Sequence, residues 1–252
     1  IIRYGNLADD VTDEVHPDVA EAATLAARVV GLDIAGIDIV AEDISRPLEE
    51  QRGAIVEVNA GPGLLMHLKP AKGKPRPVGQ AIVDSLFPAG DKGRIPIVGI
   101  AGSKGTSLTA RLMSWLLQLT GKHVGLSCRD GLFLDKRMVD KRDCANWAAG
   151  QRLLINRSVD AAVFENGAAM ILGEGIAYDR CQVGIVTDAT GFEALGEFDI
   201  HNAEQLYHVL RTQVDIVLPE GAAVLNAADP LVARMAELCD GDVIFYGLTQ
   251  DL

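Results

Sequence analysis

The chain has 252 residues, of which 48% are hydrophobic, and a formal net charge of −12 at pH 7. This length is enough for one large domain or two modest domains with a buried core. No run of about eighteen apolar residues occurs, which argues against a membrane span, and no Lys/Arg cluster offers a basic face for nucleic acid.

The start of the chain and its cysteines indicate how the protein is processed and where it works. The chain begins at Ile1 without a charged and then apolar leader, so we expect a fragment or partly ordered chain rather than a secretory precursor. The cysteines show neither CxxC pairs nor metal-ligand spacing (Cys128, Cys144, Cys181 and Cys239). We therefore expect a reducing cytoplasmic location, with most of these thiols buried.

One helix pattern and two strand patterns dominate the first 90 residues. Apolar periodicity predicts a helix over Pro17–Val30, with Pro at its start and Gly31 directly after its end. Strand patterns follow at Gly36–Val40 and Ala54–Asn59, and the polar residues between them are typical of a hairpin connection. A short helix fits Val78–Leu86, and the turn residues at 88–93 predict a linker.

Strand patterns alternate with helix patterns from residue 91 onward. Strands fit residues 95–100, 123–126, 161–164, 183–187, 222–225 and 243–246, and helices fit 107–120, 145–155, 203–214 and 230–238. Such alternation predicts an α/β fold with a doubly wound, mostly parallel sheet. The sequence therefore predicts two domains, 1–90 and 91–252.

Acidic and amide residues on the first two predicted strands suggest a metal site. Glu57 and Asn59 are two residues apart, so their side chains project from the same face of a strand. Asp38 joins them if the two strands pair. Two carboxylates and an amide oxygen suit Mg²⁺ that bridges phosphates, although an isolated Glu-x-Asn is far more often a strand end that faces water.

The complete string around these residues resembles the metal-binding end of ATP-grasp carboxylate–amine ligases. It contains Gly-Ile-Asp-Ile-Val and, later, Ile-Val-Glu-Val-Asn-Ala-Gly-Pro-Gly. The resemblance implies the C-terminal part of an ATP-grasp α+β domain, in which Asp38, Glu57 and Asn59 hold Mg²⁺ on ATP. Arg3, as a bidentate clamp for a substrate carboxylate, and His67, near an acceptor, are weaker catalytic candidates. A surface charge and a structural histidine are the competing interpretations.

A glycine-rich turn between a strand and a helix in the second domain is typical of phosphate-binding loops. It contains Gly102, Lys104, Gly105, Thr106 and Ser107, and it resembles the P-loop-type first turn of Mur-type amide ligases. The resemblance places Thr106 at the position of the lysine that contacts the phosphates, and Ser107 at that of the Mg²⁺-binding hydroxyl. Threonine cannot replace a fixed positive charge, and Lys104 comes two positions early. We therefore predict a Mur-ligase-like domain with a degenerate, inactive ATP site.

At other positions too, the second domain lacks charged or metal-binding residues that the Mur-ligase pattern has. Glu165 matches the family's metal-binding glutamate, but the two arginines that usually follow it are absent. Asp188 stands where the family has asparagine, the metal-binding histidine after it is missing, and Leu210 falls near the position of a usual lysine. Several losses at one site strengthen the prediction that this domain no longer hydrolyses ATP.

Segments 10–17, 31–38, 66–68 and 73–79 resemble the cyanophycin synthetase family. The resemblance implies a cytoplasmic, ATP- and Mg²⁺-dependent ligase and a homo-oligomer, either a dimer or a tetramer. The variant with one active site fits best, and it implies that ready-made β-aspartyl-arginine dipeptides are joined into the polymer cyanophycin. Two alternatives remain open: a two-site synthetase that uses free aspartate and arginine, and a non-catalytic scaffold.

Overall fold

The structure is a computed structural model that describes residues 2–4 and 7–248. The chain divides into two compact units, Ile1–Gly93 (the first unit) and Arg94–Leu252 (the second unit). The elements of the first unit are β1 (Ile2–Tyr4), β2 (Leu7–Asp9), α1 (Pro17–Val30), β3 (Gly36–Val40), β4 (Ala54–Asn59), α2 (Leu65–Leu68) and α3 (Val78–Leu86), with single 3-10 turns at Thr12–Glu14 and Leu48–Gln51.

Helix α1 has the bounds that its end signals predict. His16 precedes the helix and its Nδ1 accepts a hydrogen bond from the Asp18 amide at 3.2 Å, while Pro17 occupies the first turn, where no intrahelical amide is needed. Gly31 ends the helix in the left-handed region at φ 83°, which glycine adopts without steric cost. The helix packs on β3 and β4, and Val19 is its fully buried residue.

The second unit is built on one large sheet. Its elements are β5 (Ile97–Ala101), α4 (Thr106–Gln118), β6 (Val124–Cys128), β7 (Gly131–Leu134), β8 (Arg137–Asp140), α5 (Trp147–Leu154), β9 (Ala161–Asn166), α6 (Ala168–Gly173), β10 (Cys181–Val186), α7 (Ala203–Leu210), α8 (Thr212–Asp215), β11 (Val217–Asn226), α9 (Pro230–Arg234) and β12 (Asp242–Tyr246), with 3-10 segments at Phe192–Phe198 and Met235–Leu238. The eight strands lie in the order β12–β11–β10–β5–β9–β6–β7–β8.

The sheet is parallel from β12 to β6, as the alternating pattern predicts. Strand β5 lies inside it and is buried along its whole length, because helices cover both faces of the sheet. Val98 and Ile100 pack in one core with α4 residues such as Ala110. Ile97 and Ala101, on the opposite face, belong to the cores under α5 and α7.

The antiparallel hairpin β7–β8 at one edge of the sheet is absent from the sequence-based prediction. Its strands have four residues each, which is too short for a clear alternating pattern. Asp135 in the turn adopts φ 52°, and its carboxylate accepts a hydrogen bond from the Val124 amide at 2.8 Å. A contact with the neighbouring strand β6, rather than a local signal, therefore fixes this turn.

Two predicted helices are shorter or broken in the structure. The helix predicted over 203–214 is α7 followed by the separate turn α8, and the helix predicted over 230–238 is α9 followed by a 3-10 turn. Helix α5 begins after Asn146, whose side chain accepts the Ala149 amide at 2.9 Å; this N-cap explains why it starts later than predicted. Helix α6 was not predicted, since six residues carry little periodicity.

All four cysteines are free thiols. Across residues 2–4 and 7–248, no helix is both long enough and apolar enough to span a membrane.

Candidate functional site

The oxygen triad of the first unit (Asp38, Glu57 and Asn59) is set by the pairing of β3 with β4. The strands are antiparallel, with Asp38 opposite Glu57 and Gly36 opposite Asn59. Directly opposed residues project from the same face with Cβ atoms about 5 Å apart. The register therefore places all three oxygen-bearing side chains on one face of the two-stranded sheet.

A β-bulge lies directly beside the triad. The pairing shifts between Asp38 and Ile39, which faces Ile55, so that Val56 has no partner of its own. Bulges bend a strand and re-aim neighbouring side chains. Val56 and Glu57 are consequently both exposed, a break in alternation that the sequence pattern does not reveal.

A cavity of about 640 Å³ adjoins the triad, and Asp38, Asn59 and His67 all line it. Glu57 lies outside this lining and is exposed on β4. Within the described residues, no cluster of three or more His, Cys, Asp or Glu side chains could hold a metal ion; the triad offers two carboxylates and an amide. These are hard oxygen donors, and their chemistry fits Mg²⁺.

His67 is half-buried on the short helix α2. Burial lowers the pKa of its imidazole below the ordinary value, so the ring is mainly neutral near pH 7. The other weak candidate, Arg3, pairs with Ala8 through its backbone in β1 and β2, but its side chain lies outside the described residues.

The segment that carries His67 is anchored through Arg76. The Arg76 amide donates to the His67 carbonyl at 2.8 Å, and its guanidinium donates to the carboxylates of Asp10 and Asp13 at 2.9 and 2.8 Å. The Arg76 guanidinium is the main cause of an Asp10 pKa well below its ordinary value. The hydrogen bonds of Arg76 to the two carboxylates therefore hold the segment that carries His67 against the end of β2.

The glycine-rich loop of the second unit (residues 102–107) leads from β5 into α4. Gly102 has φ 134°, and a Cβ on it would collide with the hydroxyl of Thr187, so only glycine fits there. Gly105 precedes the helix with φ 71°. Lys104 is exposed and does not line the adjoining cavity of about 280 Å³, whereas Leu210 does.

Asp188 accepts hydrogen bonds from this loop across a sequence distance of more than eighty residues. The amides of Ser103 and Lys104 donate to its Oδ2 at 3.1 and 2.9 Å, and the Ser103 hydroxyl donates to its Oδ1 at 2.5 Å. The hydroxyls of Thr187 and Thr190 add bonds of 2.9 and 2.6 Å, and the Thr190 amide adds one of 3.2 Å. Asp188 is only 8% exposed.

Glu165, at the end of β9, is bonded to the helix side of the same loop. Its carboxylate accepts hydrogen bonds from the hydroxyls of Thr106 and Ser107 at 2.7 and 2.8 Å. Arg129, directly after β6, donates to it from its backbone amide at 2.9 Å and from Nε at 2.7 Å, and its Nη2 donates to the Thr106 hydroxyl at 2.7 Å. The sequence-based prediction did not include Arg129. The signal that could have indicated it is its position as a charged residue directly after a buried strand.

Both carboxylates remain ionised despite their burial. Burial raises the pKa of Asp188, but the hydrogen bonds from Ser103, Thr190 and Lys104 outweigh it and leave the pKa well below its ordinary value. Burial likewise raises the pKa of Glu165, and the bonds from Thr106, Arg129 and Ser107 lower it on balance. The folded protein therefore holds both groups as anions.

The stability of the second unit is expected to depend on Asp188 ionisation. An unfolded aspartate has a pKa of about 3.9 and the native pKa is lower, so the stabilisation is fully present above about pH 4 and is lost as pH falls through the native pKa. Between about pH 4 and pH 2, the free energy of unfolding should fall more steeply in the wild type than in Asp188→Asn. Urea unfolding followed by Trp115 and Trp147 fluorescence measures this, since both tryptophans lie in the second unit; equal slopes would contradict it.

Comparison with known proteins gives relatives for the whole chain. No protein-family model matches it. The chain is 41% identical over 250 residues to the cyanophycin synthetases of Synechocystis sp. and Geminocystis herdmanii, which is 99% of this chain and 28% of each relative. It is also 36% identical over 86 residues to the glutathione biosynthesis bifunctional protein GshAB of Clostridium perfringens, which is 34% of this chain and 11% of that protein. The predicted resemblance to cyanophycin synthetases is confirmed, and the chain spans about a quarter of their length.

A solved structure supports the predicted fold. A UDP-N-acetylmuramoyl-L-alanyl-D-glutamate–2,6-diaminopimelate ligase matches with a TM-score of 0.53 at 13% sequence identity, over 68% of this chain and 35% of that one. At this identity the likeness concerns the fold alone. The predicted Mur-ligase-like α/β fold with a mostly parallel sheet is confirmed, and the ATP-grasp assignment of the first unit stays a prediction.

Proposed function

We propose that this chain is part of an ATP-dependent carboxylate–amine ligase that joins β-aspartyl-arginine dipeptides into cyanophycin, with its active site in the first unit. The observation that carries the proposal is the β3–β4 register, in which Asp38 lies opposite Glu57 and Asn59 follows on the same face. The 41% identity to proteins named cyanophycin synthetase supports the polymer as product.

The proposed reaction has two steps. The γ-phosphoryl group of ATP passes to the C-terminal carboxylate of the polymer, which gives an acyl phosphate and ADP. The α-amine of an incoming dipeptide then attacks the acyl carbon, an amide forms, and inorganic phosphate leaves. This scheme needs charge neutralisation at the phosphates and an uncharged amine.

The oxygen triad and His67 have separate roles in this proposal. Asp38, Glu57 and Asn59 would hold Mg²⁺, which offsets the negative charge of the phosphates. His67 lines the cavity with Asp38 and Asn59, and its lowered pKa keeps the imidazole neutral, so a ring nitrogen would be free to take the proton that the amine loses as it attacks the acyl carbon. Arg3 would bind a substrate carboxylate through its guanidinium.

We propose that the second unit is catalytically inactive and acts as a scaffold, as a surface for a dimer or tetramer, or as a contact for the polymer. Thr106 takes the position of the missing lysine, and its hydroxyl is bonded to Glu165 and Arg129 rather than free for a ligand. Leu210, which lines the cavity, supplies no charge either. The two proposed domains correspond to residues 1–90, ATP-grasp, and 91–252, Mur-ligase-like.

Substrate choice tests the proposal directly. The protein that carries this chain at its natural length is incubated with ATP and Mg²⁺, and with either β-aspartyl-arginine or free aspartate plus arginine; polymer and ADP are measured. With ATP present, we expect polymer from β-aspartyl-arginine and none from free aspartate plus arginine. Without ATP, we expect no polymer from either. Polymer from the free amino acids and none from the dipeptide would refute the one-site proposal and favour the two-site synthetase.

A further inference from the structure

The backbone amides of the glycine-rich loop already bind an anionic group, which is a side-chain carboxylate of the same chain. Loops of this type bind phosphate through backbone amides that converge at a helix N-terminus. Here the amides of Ser103 and Lys104 both donate to Asp188 Oδ2, at 3.1 and 2.9 Å. A phosphate oxygen entering the loop would therefore compete with a carboxylate for the same donors.

The Asp188 carboxylate is held by more than the loop amides. Hydroxyl groups of Ser103, Thr187 and Thr190 and the Thr190 amide bring the total to three donors on each oxygen. A buried carboxylate with this many donors is stable without a cation. An incoming anion would have to displace all these bonds and would also meet a negative charge.

The side chains that could bind a cation are likewise occupied by hydrogen bonds within the chain. Glu165 and the Thr106 and Ser107 hydroxyls form one hydrogen-bonded cluster, which the Arg129 guanidinium joins through Nε and Nη2. Glu165 is only 3% exposed, so its charge needs a partner in the folded state. A divalent ion at Glu165 would have to displace the guanidinium.

We propose that the chain itself fills the nucleotide site of the second unit: the Asp188 carboxylate replaces the phosphate and the Arg129 guanidinium replaces the metal ion. The inference rests on the proposed inactivity of this unit and adds its mechanism. A merely lost lysine would leave a loop that binds phosphate weakly. A self-occupied loop excludes phosphate and keeps its folded shape without nucleotide.

The two replacements are separate, so each can be removed alone. Asp188→Ala frees the loop amides and removes the repelling charge, and it should open an anion site. Arg129→Ala leaves Glu165 without its guanidinium partner, and it should open a divalent-cation site beside Ser107. Both substitutions lie within the sequence of the second unit.

The anion half is tested by titrating inorganic tripolyphosphate into ¹⁵N-labelled protein and recording the amide resonances of Ser103 and Lys104. In Asp188→Ala these resonances should move with an affinity at least about tenfold tighter than in the wild type, and Asp188→Asn, which keeps the shape without the charge, should fall between them. Asp143→Ala is the matched control, because Asp143 lines the same cavity but accepts its bond from the Ala145 amide.

The cation half is tested with Mn²⁺ alone, through paramagnetic broadening of the Thr106 and Ser107 amide resonances. Broadening is expected in Arg129→Ala and not in the wild type. Arg111→Ala is the matched control, since it removes a cation from α4 that pairs with Asp130 at 3.3 Å and has no bond to Glu165. Broadening in the wild type equal to that in Arg129→Ala would overturn this half.

The outcomes separate the inference from the proposed function. Tripolyphosphate shifts in the wild type as large as those in Asp188→Ala would overturn self-occupation and the inactivity of the second unit together. Folded Asp188→Ala and Asp188→Asn proteins that both fail to gain affinity would overturn self-occupation alone, since Thr106 would still explain an inactive site. All these resonances belong to the second unit and need no turnover, so a failed polymerisation assay leaves them interpretable.

Discussion

Replacing Glu57 with alanine is expected to abolish ATP-dependent polymerisation, with a loss of at least about a hundredfold in turnover. Glu57 lies opposite Asp38 in the β3–β4 pair, and it supplies one of the two carboxylates of the oxygen triad. Its removal leaves one carboxylate and one amide, which is too few protein oxygens to hold Mg²⁺ firmly on phosphates. Charge on the transferring phosphoryl group would then go uncompensated.

The effect should be confined to catalysis. Glu57 is exposed on β4, so its truncation removes no core packing and should change the free energy of unfolding by less than about 0.5 kcal/mol. Glu49→Ala is the matched control, because Glu49 is an exposed glutamate of the same unit that lies outside the triad. ADP release and polymer yield are measured for both variants. Full activity in Glu57→Ala would contradict the proposal that the oxygen triad forms the active site.

Replacing Gln213 with alanine is expected to destabilise the second unit by about 3–4 kcal/mol. Gln213 is 0% exposed, and its Oε1 accepts hydrogen bonds from Asn166 Nδ2 at 2.6 Å and from Tyr178 Oη at 3.0 Å. Truncation removes a buried side chain and leaves both donors without this acceptor. The cavity cost and the cost of unsatisfied polar groups therefore add.

The neighbourhood of Gln213 leaves little room for relaxation. Gly99 of β5 lies beneath it, and a Cβ at Gly99 would collide with Tyr178 Oη and the Gln213 amide. Urea unfolding followed by tryptophan fluorescence reports this unit alone, since Trp115 and Trp147 are the two tryptophans of the chain. Gln205→Ala, on the partly exposed face of α7, is the control and should cost less than about 1 kcal/mol. If both substitutions lowered the free energy of unfolding equally, the buried hydrogen-bond network around Gln213 would contribute no more stability than a partly exposed side chain does.

The local sequence determined those elements whose signals lie within a few residues. Pro17 and Gly31 mark both ends of α1, and the strand predicted at residues 95–100 is β5 to within two residues. The two-residue spacing of Glu57 and Asn59 likewise predicts their common face. Strand period and helix capping are properties of neighbouring residues, so they can be deduced without knowing the fold.

The tertiary structure alone decided which distant groups meet. Asp188 reaches the amide of Ser103 although 85 positions separate them, and Arg129 reaches Glu165 across 36 positions. These contacts depend on the order of β5, β6, β9 and β10 in the sheet, which places the ends of parallel strands side by side. The sequence shows that the loop lacks its lysine at Thr106, but only the strand order shows which charges fill the loop instead.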